Sequence, residues 1–260
     1  MQSGAPDRQG ALPCFTRLLE RGLAPRKVFV ELQARFPSDK VLQLNYATWL
    51  SEMERTEDAE HVFTQLISSA DKRRPWPHLH LRIGQHLLRL GKWAAAAKQF
   101  GIVLEIHRGF QMAHDGMAKA LRGLAKDATA SGDLAKAKKY VTQAERHLKL
   151  AIKWALIRQA PVARFHAALG WFYLDERKYP KALAAFNSGI AEDADHFGSN
   201  YGKGKLLTIT GDYGEALPFL EKAVEVGPQP LVPPASEELP SLIAQCKLEP
   251  GKARAAAMSQ

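Results

Sequence analysis

The chain has 260 residues, of which 46% are hydrophobic and 24% charged, and a net charge of +9. That suits an ordinary folded unit, since at this length roughly 70–75% of the unfolded surface can be buried without staples. It excludes a disulfide scaffold, because the only cysteines are Cys14 and Cys246 near opposite ends, and a membrane-spanning helix, because no apolar run approaches ~18 residues. The charge is uneven. Residues 1–71 carry 8 basic and 10 acidic side chains and residues 159–260 carry 10 and 12, whereas residues 72–158 carry 18 against 5. A basic centre of this kind speaks of a partner more than of a fold.

In chain order, residues 1–12 read as a flexible start. They lack an apolar core followed by a small-residue cleavage site, and two thiols fit a reducing compartment, so an intracellular, cytoplasmic home is expected. A repeating signature comes next: a small residue, Ala twelve positions later, and a bulky apolar residue four further on. It reads Gly84, Ala96, Phe100, then Gly170, Ala182, Phe186, then Gly204, Ala216, Leu220, with weaker copies at Ala47, Ala59, Phe63 and at Ala125, Ala137, Val141. Between the small residue and the Ala lies a helix-ending turn, such as Leu90-Gly91-Lys92-Trp93, Ser131-Gly132-Asp133-Leu134 or Thr210-Gly211-Asp212-Tyr213. Gly can close one helix with a positive φ and Asp can cap the next. The small positions are where two helices approach closely, and the Phe or Leu on the same face as the Ala fills the groove to the next pair.

The pattern places helical repeats over residues 13–39, 40–73, 77–110, 118–151, 163–196 and 197–230. No proline occurs between Pro77 and Pro161, so long helices are allowed there, and Leu134 to about Arg158 reads as one helix of ~37 Å. The extra residues after Gly109 suit either a longer helix or a hinge. Residues 231–248 read as a proline-rich linker and a capping helix opened by Ser236, and residues 249–260 as a disordered basic tail.

On these residues the chain resembles the tetratricopeptide repeat family, whose pattern is Leu-Gly-x-x-Tyr, then Ala-x-x-x-Phe, then Pro. The best copy is Leu169-Gly170-Trp171-Phe172-Tyr173 followed by Ala182 to Phe186, and the next holds Gly204, Ala216, Leu220, Ala223 and Pro228. The resemblance covers about residues 6–230 and departs from the pattern in the first half, where Ala47 and Ala125 replace the Gly. It implies an all-α fold, a right-handed superhelical solenoid of about six antiparallel helix pairs plus the C-terminal cap.

Chemistry is sparse. His78 and His80 point apart on a helix, no His-Glu-x-x-His occurs, and no metal site is expected. Gly202-Lys203-Gly204-Lys205 lacks the spacing of a phosphate loop, and neither a nucleophile elbow nor a partner for Cys14 is present. No catalytic residues and no cofactor are expected, and the chain reads as a non-enzyme.

The resemblance instead implies a groove lined by the first helix of each pair. Carried onto this chain, its lining includes Arg82, Gln85 and Arg89, then Lys119, Arg122 and Lys126, then Arg164 and Trp171, then Tyr201 and Lys205. The carboxylate clamp of the heat-shock co-chaperone members is not reproduced, because its Asn slots hold Gln85, Lys126, Trp171 and Lys205. Cations and aromatics in one groove suit an acidic or amphipathic segment of a partner protein, held by charge-assisted hydrogen bonds and packed on the rings. They also suit single-stranded nucleic acid, with phosphates on the cations and bases stacked. Trp171 and Tyr201 could equally be packing residues between repeats. The expected role is therefore an adaptor, chaperone-like or regulatory subunit, with a nucleic-acid-binding solenoid as the alternative.

Overall fold

The computed structural model describes residues 25–36, 38–70, 75–228 and 234–248. Residues 1–24, 229–233 and 249–260 lie outside these, so the flexible start, part of the first repeat, most of the linker and the tail are not described. The described residues form twelve helices and no strand. Two compact units divide the chain, residues 1–107 and residues 108–260.

The first unit holds α1 (Pro25–Arg35), α2 (Lys40–Glu52), α3 (Thr56–Ser68), α4 (Pro77–Arg89) and α5 (Trp93–Ile106). Asp39 starts α2 by accepting from the amides of Val41 and Leu42, satisfying two donors that have no partner inside the helix. Ala47, Ala59 and Phe63 pack with Leu50, Leu66, Leu79 and Ile83 in one core. A Cβ at Gly84 would stand 2.7 Å from the ring of Phe100, so the small residue is what lets α4 and α5 close together.

The second unit holds α6 (Gln111–Ala130), α7 (Leu134–Ile157), α8 (Ala163–Asp175), α9 (Tyr179–Glu192), α10 (Phe197–Thr210), α11 (Tyr213–Val226) and α12 (Ala235–Leu248). Helices α6 and α7 are 20 and 24 residues long against 13 or 14 for the others in this unit, so the extra residues after Gly109 lengthen a hairpin. Small buried residues accompany it: Ala113, Ala118, Ala120, Ala125 and Ala128 on α6, and Ala137, Ala144, Ala151 and Ala155 on α7. Below the hairpin, Phe186 of α9 is wholly buried between α8 and α10. A Cβ at Gly170 would lie 2.5 Å from that ring, and one at Gly202 only 2.2 Å.

Two turns show what the caps require. Gly132 and Gly211 have φ of +80° and +87° with open space where a Cβ would sit, so backbone conformation alone selects glycine there. The turn between α8 and α9 does the same with Arg177 at φ 55°. Asp133 caps α7 by accepting from the amide of Lys136. Asp212 makes no such bond, because its carboxylate takes the hydroxyl of Thr210 instead.

Helix α12 covers the last pair. Leu239 and Cys246 are fully buried with Leu207, Leu220 and Ala223, and burying Leu239 contributes about 1.5–3 kcal/mol. The helix starts at Ala235, one residue before the expected opener Ser236. The amides of Glu237 and Glu238 close on the carbonyl of Pro234, so no side-chain cap from Ser236 is needed.

Candidate functional site

In the first unit, three expected groove residues lie on α4. Arg82 is exposed and donates to the side chain of Gln85 at 3.2 Å. Arg89 donates to Ser51 Oγ at 2.8 Å and pairs with Glu52. Ser51 is buried and also meets His86 Nδ1 at 2.7 Å, so Arg89 belongs to a network that ties α4 to α2. Burial foremost holds the His86 imidazole below its ordinary pKa, with nearby Arg89 and Lys92 adding to it and Glu60 opposing.

In the second unit the structure brings Lys119 and Arg122 of α6, Arg164 and Trp171 of α8, and Gly198 of α10 into one cleft of about 280 Å³. Leu148, Ala118, Ala167 and Ala168 supply its apolar wall. The helical spacing explains the convergence: residues 115, 118, 119 and 122 share one face of α6, and residues 164, 167, 168 and 171 one face of α8. Lys126, one turn beyond Arg122, is exposed but does not line the cleft.

The cations differ in what they already hold. Arg122 pairs with Asp175 of α8. Lys119 pairs with Asp115 at 2.9 Å. Among the described residues Arg164 has no carboxylate partner; it is exposed at the cleft, its guanidinium 5.3 Å from the ring centroid of Phe165. His196 caps α10 by accepting from the amide of Ser199, and burial keeps its imidazole below the ordinary pKa. A neutral ring there leaves the cleft's positive charge to Lys119, Arg122 and Arg164.

Trp171 forms the wall between this cleft and a second one of about 300 Å³, lined also by Phe197, Tyr201, Lys205 and Ala235. Its indole N–H donates to the carbonyl of Gly198 at 3.1 Å, and its ring meets Phe186 edge-on and tilts against Tyr201. Tyr201 is not a free platform: it is 5% exposed and its hydroxyl donates to Glu238 of α12. Burial foremost, then that bond, pushes the Tyr201 phenol well above its ordinary pKa. Lys205 pairs with the same carboxylate, which lies below the usual carboxylate range chiefly because of Lys205 and then Tyr201. These two expected groove residues therefore anchor the cap.

One residue escaped the sequence reading. Asp115 lines the cleft, is 4% exposed, and one of its oxygens, Oδ1, is buried with no hydrogen-bond partner among the described residues. The repeat expected at 118–151 left it outside; α6 begins at Gln111 and carries it in. Its only sequence signal was the i, i+4 spacing to Lys119.

The comparisons with known proteins agree with this architecture. Residues 167–230 match the tetratricopeptide repeat family. That segment consists of tetratricopeptide repeats. No curated protein sequence matches the chain. A tetratricopeptide repeat protein of Thermus thermophilus superposes with a TM-score of 0.64 at 20% identity, over 80% of this chain and 99% of that one. A chain of the APC/C hetero-tetramer Cut9–Hcn1 gives 0.61 at 15% identity, over 90% of this chain and 40% of that one. MamA of Desulfovibrio magneticus gives 0.52 at 18%, over 73% and 96%. These likenesses establish the fold, an all-helical stack of repeat pairs. Among the described residues no helix is long and apolar enough to cross a membrane, and no three His, Cys, Asp or Glu side chains are grouped to hold a metal.

Proposed function

We propose that the chain is a non-catalytic adaptor or regulatory subunit, acting inside the cell, whose second unit holds an acidic or amphipathic segment of a partner protein. The observation that carries this reading is the cleft between α6, α8 and the start of α10. Arg164 stands there without a carboxylate partner among the described residues, beside the half-buried Trp171 ring and an apolar wall of Leu148, Ala167 and Ala168. A carboxylate on Arg164 gains a charge-assisted hydrogen bond while neighbouring apolar side chains of the segment pack on the wall. Base stacking is less well served, because Tyr201 is buried and the Trp171 ring is engaged by Phe186 and Tyr201.

The test is to pan a display library of short peptides on the intact protein and measure the selected peptides by fluorescence anisotropy. Acidic peptides with an apolar residue are expected to be enriched, and Arg164→Glu, at an exposed position, should weaken them by about tenfold or more. A labelled single-stranded oligonucleotide serves as competitor. If it binds instead, with log K falling by ~0.7 per phosphate neutralised as log salt rises, the basic centre serves nucleic acid and this reading is wrong.

A further inference from the structure

We propose that His196 is a recognition residue of this cleft, its Nε2–H donating to the same acidic group of the bound segment that Arg164 holds. The inference rests on the peptide reading above and adds to it a neutral donor from the start of α10.

The helix cap decides which ring nitrogen is free. His196 Nδ1 accepts from the amide of Ser199 at 3.2 Å and meets the Ser199 hydroxyl at 2.9 Å. A ring nitrogen that accepts from an amide carries no proton, so the neutral imidazole bears its proton on Nε2 and donates there. Burial foremost favours that neutral state, with Asp193 opposing and the nearby Arg164 charge adding to burial. Among the described residues Nε2 has no hydrogen-bond partner, and unlike His86 Nε2 and Asp115 Oδ1 it is not shut off from solvent. The Asp193 carboxylate accepts from the amide of Asp195.

The ring's position brings this donor to the cleft, which His196 lines with Arg164, Ala167 and Gly198. A Cβ at Gly198 would stand 3.2 Å from His196 Cε1, the carbon bonded to Nε2, and 3.6 Å from Ala167 Cβ. That edge of the ring lies along the wall where α8 and α10 meet. The other donors of the cleft are held: Lys119 by Asp115, Arg122 by Asp175 and the Trp171 indole by the Gly198 carbonyl. Arg164 and His196 are left for an incoming anion, and the two oxygens of a carboxylate can accept from both.

The probes are the acidic peptide selected by panning and a copy with the corresponding amide in place of its acidic residue. His196→Asn keeps an oxygen to cap α10 but is too short to put a donor where Nε2 stands. It should weaken the acidic peptide by about tenfold, the size expected for a lost hydrogen bond to a charged group, with little effect on the amide copy and an unchanged Tm. If His196→Asn binds the acidic peptide as tightly as the natural protein does, or weakens both peptides alike, while Arg164→Glu still weakens the acidic one, His196 is only a cap and the peptide reading stands. If Arg164→Glu has no effect, both fall. Nitrogen-15 NMR of the imidazole in the natural protein gives a readout that capping alone would not move. Nε2 should be the protonated nitrogen in the free protein and should shift on adding the acidic peptide. A proton on Nδ1 instead, or no shift at saturation, overturns the proposal even where His196→Asn fails to fold.

Discussion

The Phe186 wedge makes the sharpest demand on the fold, and Gly202→Ala tests it. The added Cβ would stand 2.2 and 2.3 Å from two ring carbons, where relaxed carbon contacts lie near 3.5–4.0 Å. The ring cannot simply retreat, because on its other side α8 comes close enough at Gly170 that a Cβ there would be 2.5 Å away. Overpacking of a dense core costs about 1–3 kcal/mol, and two clashing ring carbons argue for the upper end. Replacing Gly by Ala inside a helix returns about 0.8–1.0 kcal/mol. The net expectation is a loss of about 2 kcal/mol, a fall in Tm of roughly 4–8 °C for a unit of this size. Urea and thermal denaturation followed by helical circular dichroism measure it. Phe186→Leu in the same chain removes the clashing atoms and should recover about 1 kcal/mol or more beyond additivity, since the two residues touch. Gly132→Ala is the contrast: it has open space but a φ of +80°, so its cost is conformational and Phe186→Leu cannot relieve it. A Gly202→Ala protein as stable as the natural one, or a cycle with no coupling, would refute the wedge.

Arg177→Gly should stabilise the second unit by about 1 kcal/mol, because Arg177 holds a left-handed conformation at φ 55° that favours glycine; the urea midpoint reads this. Ser51→Ala should cost about 1–3 kcal/mol in the first unit, since it strips a partner from both His86 and Arg89, and the same titration measures it. His147 should make stability fall with acid. Burial first, then His114 and Arg146, lower its pKa from 6.5 to about 4, so between these values the unfolded chain takes up a proton that the native one refuses. Stability is full above about 6.5, declines down to about 4 and flattens below; His147→Gln should show a shallower decline. Glu238→Gln should loosen α12, because it weakens the bonds from Tyr201 and Lys205, and hydrogen exchange in α12 should speed up.

The sequence carried a good part of the cleft. The family resemblance gave Lys119, Arg122, Arg164 and Trp171 groove-lining positions, and in the structure these four border one cleft. It also named Tyr201 and Lys205, but repeat position carries no information about the element that packs beyond the last pair. Only the packing of α12, with Glu238 between them, turns these two side chains into anchors of the cap. Asp115 was missed for a related reason: whether a helix face is buried depends on where the helix begins, and the small residues that let α6 run back to Gln111 match no repeat slot.

By itself the sequence determined the helical pairing. Gly or Ala at the close-contact positions, a bulky residue four after each later Ala, and turn residues between them leave few other ways to bury the apolar faces. Tertiary structure decided which charges are committed. Arg122 to Asp175 spans α6 and α8, and Arg89 to Ser51 spans α4 and α2, so these cations are held by polar partners, while among the described residues Arg164 has no carboxylate partner. That distinction depends on distances between side chains far apart in the chain, which no local pattern of residues records.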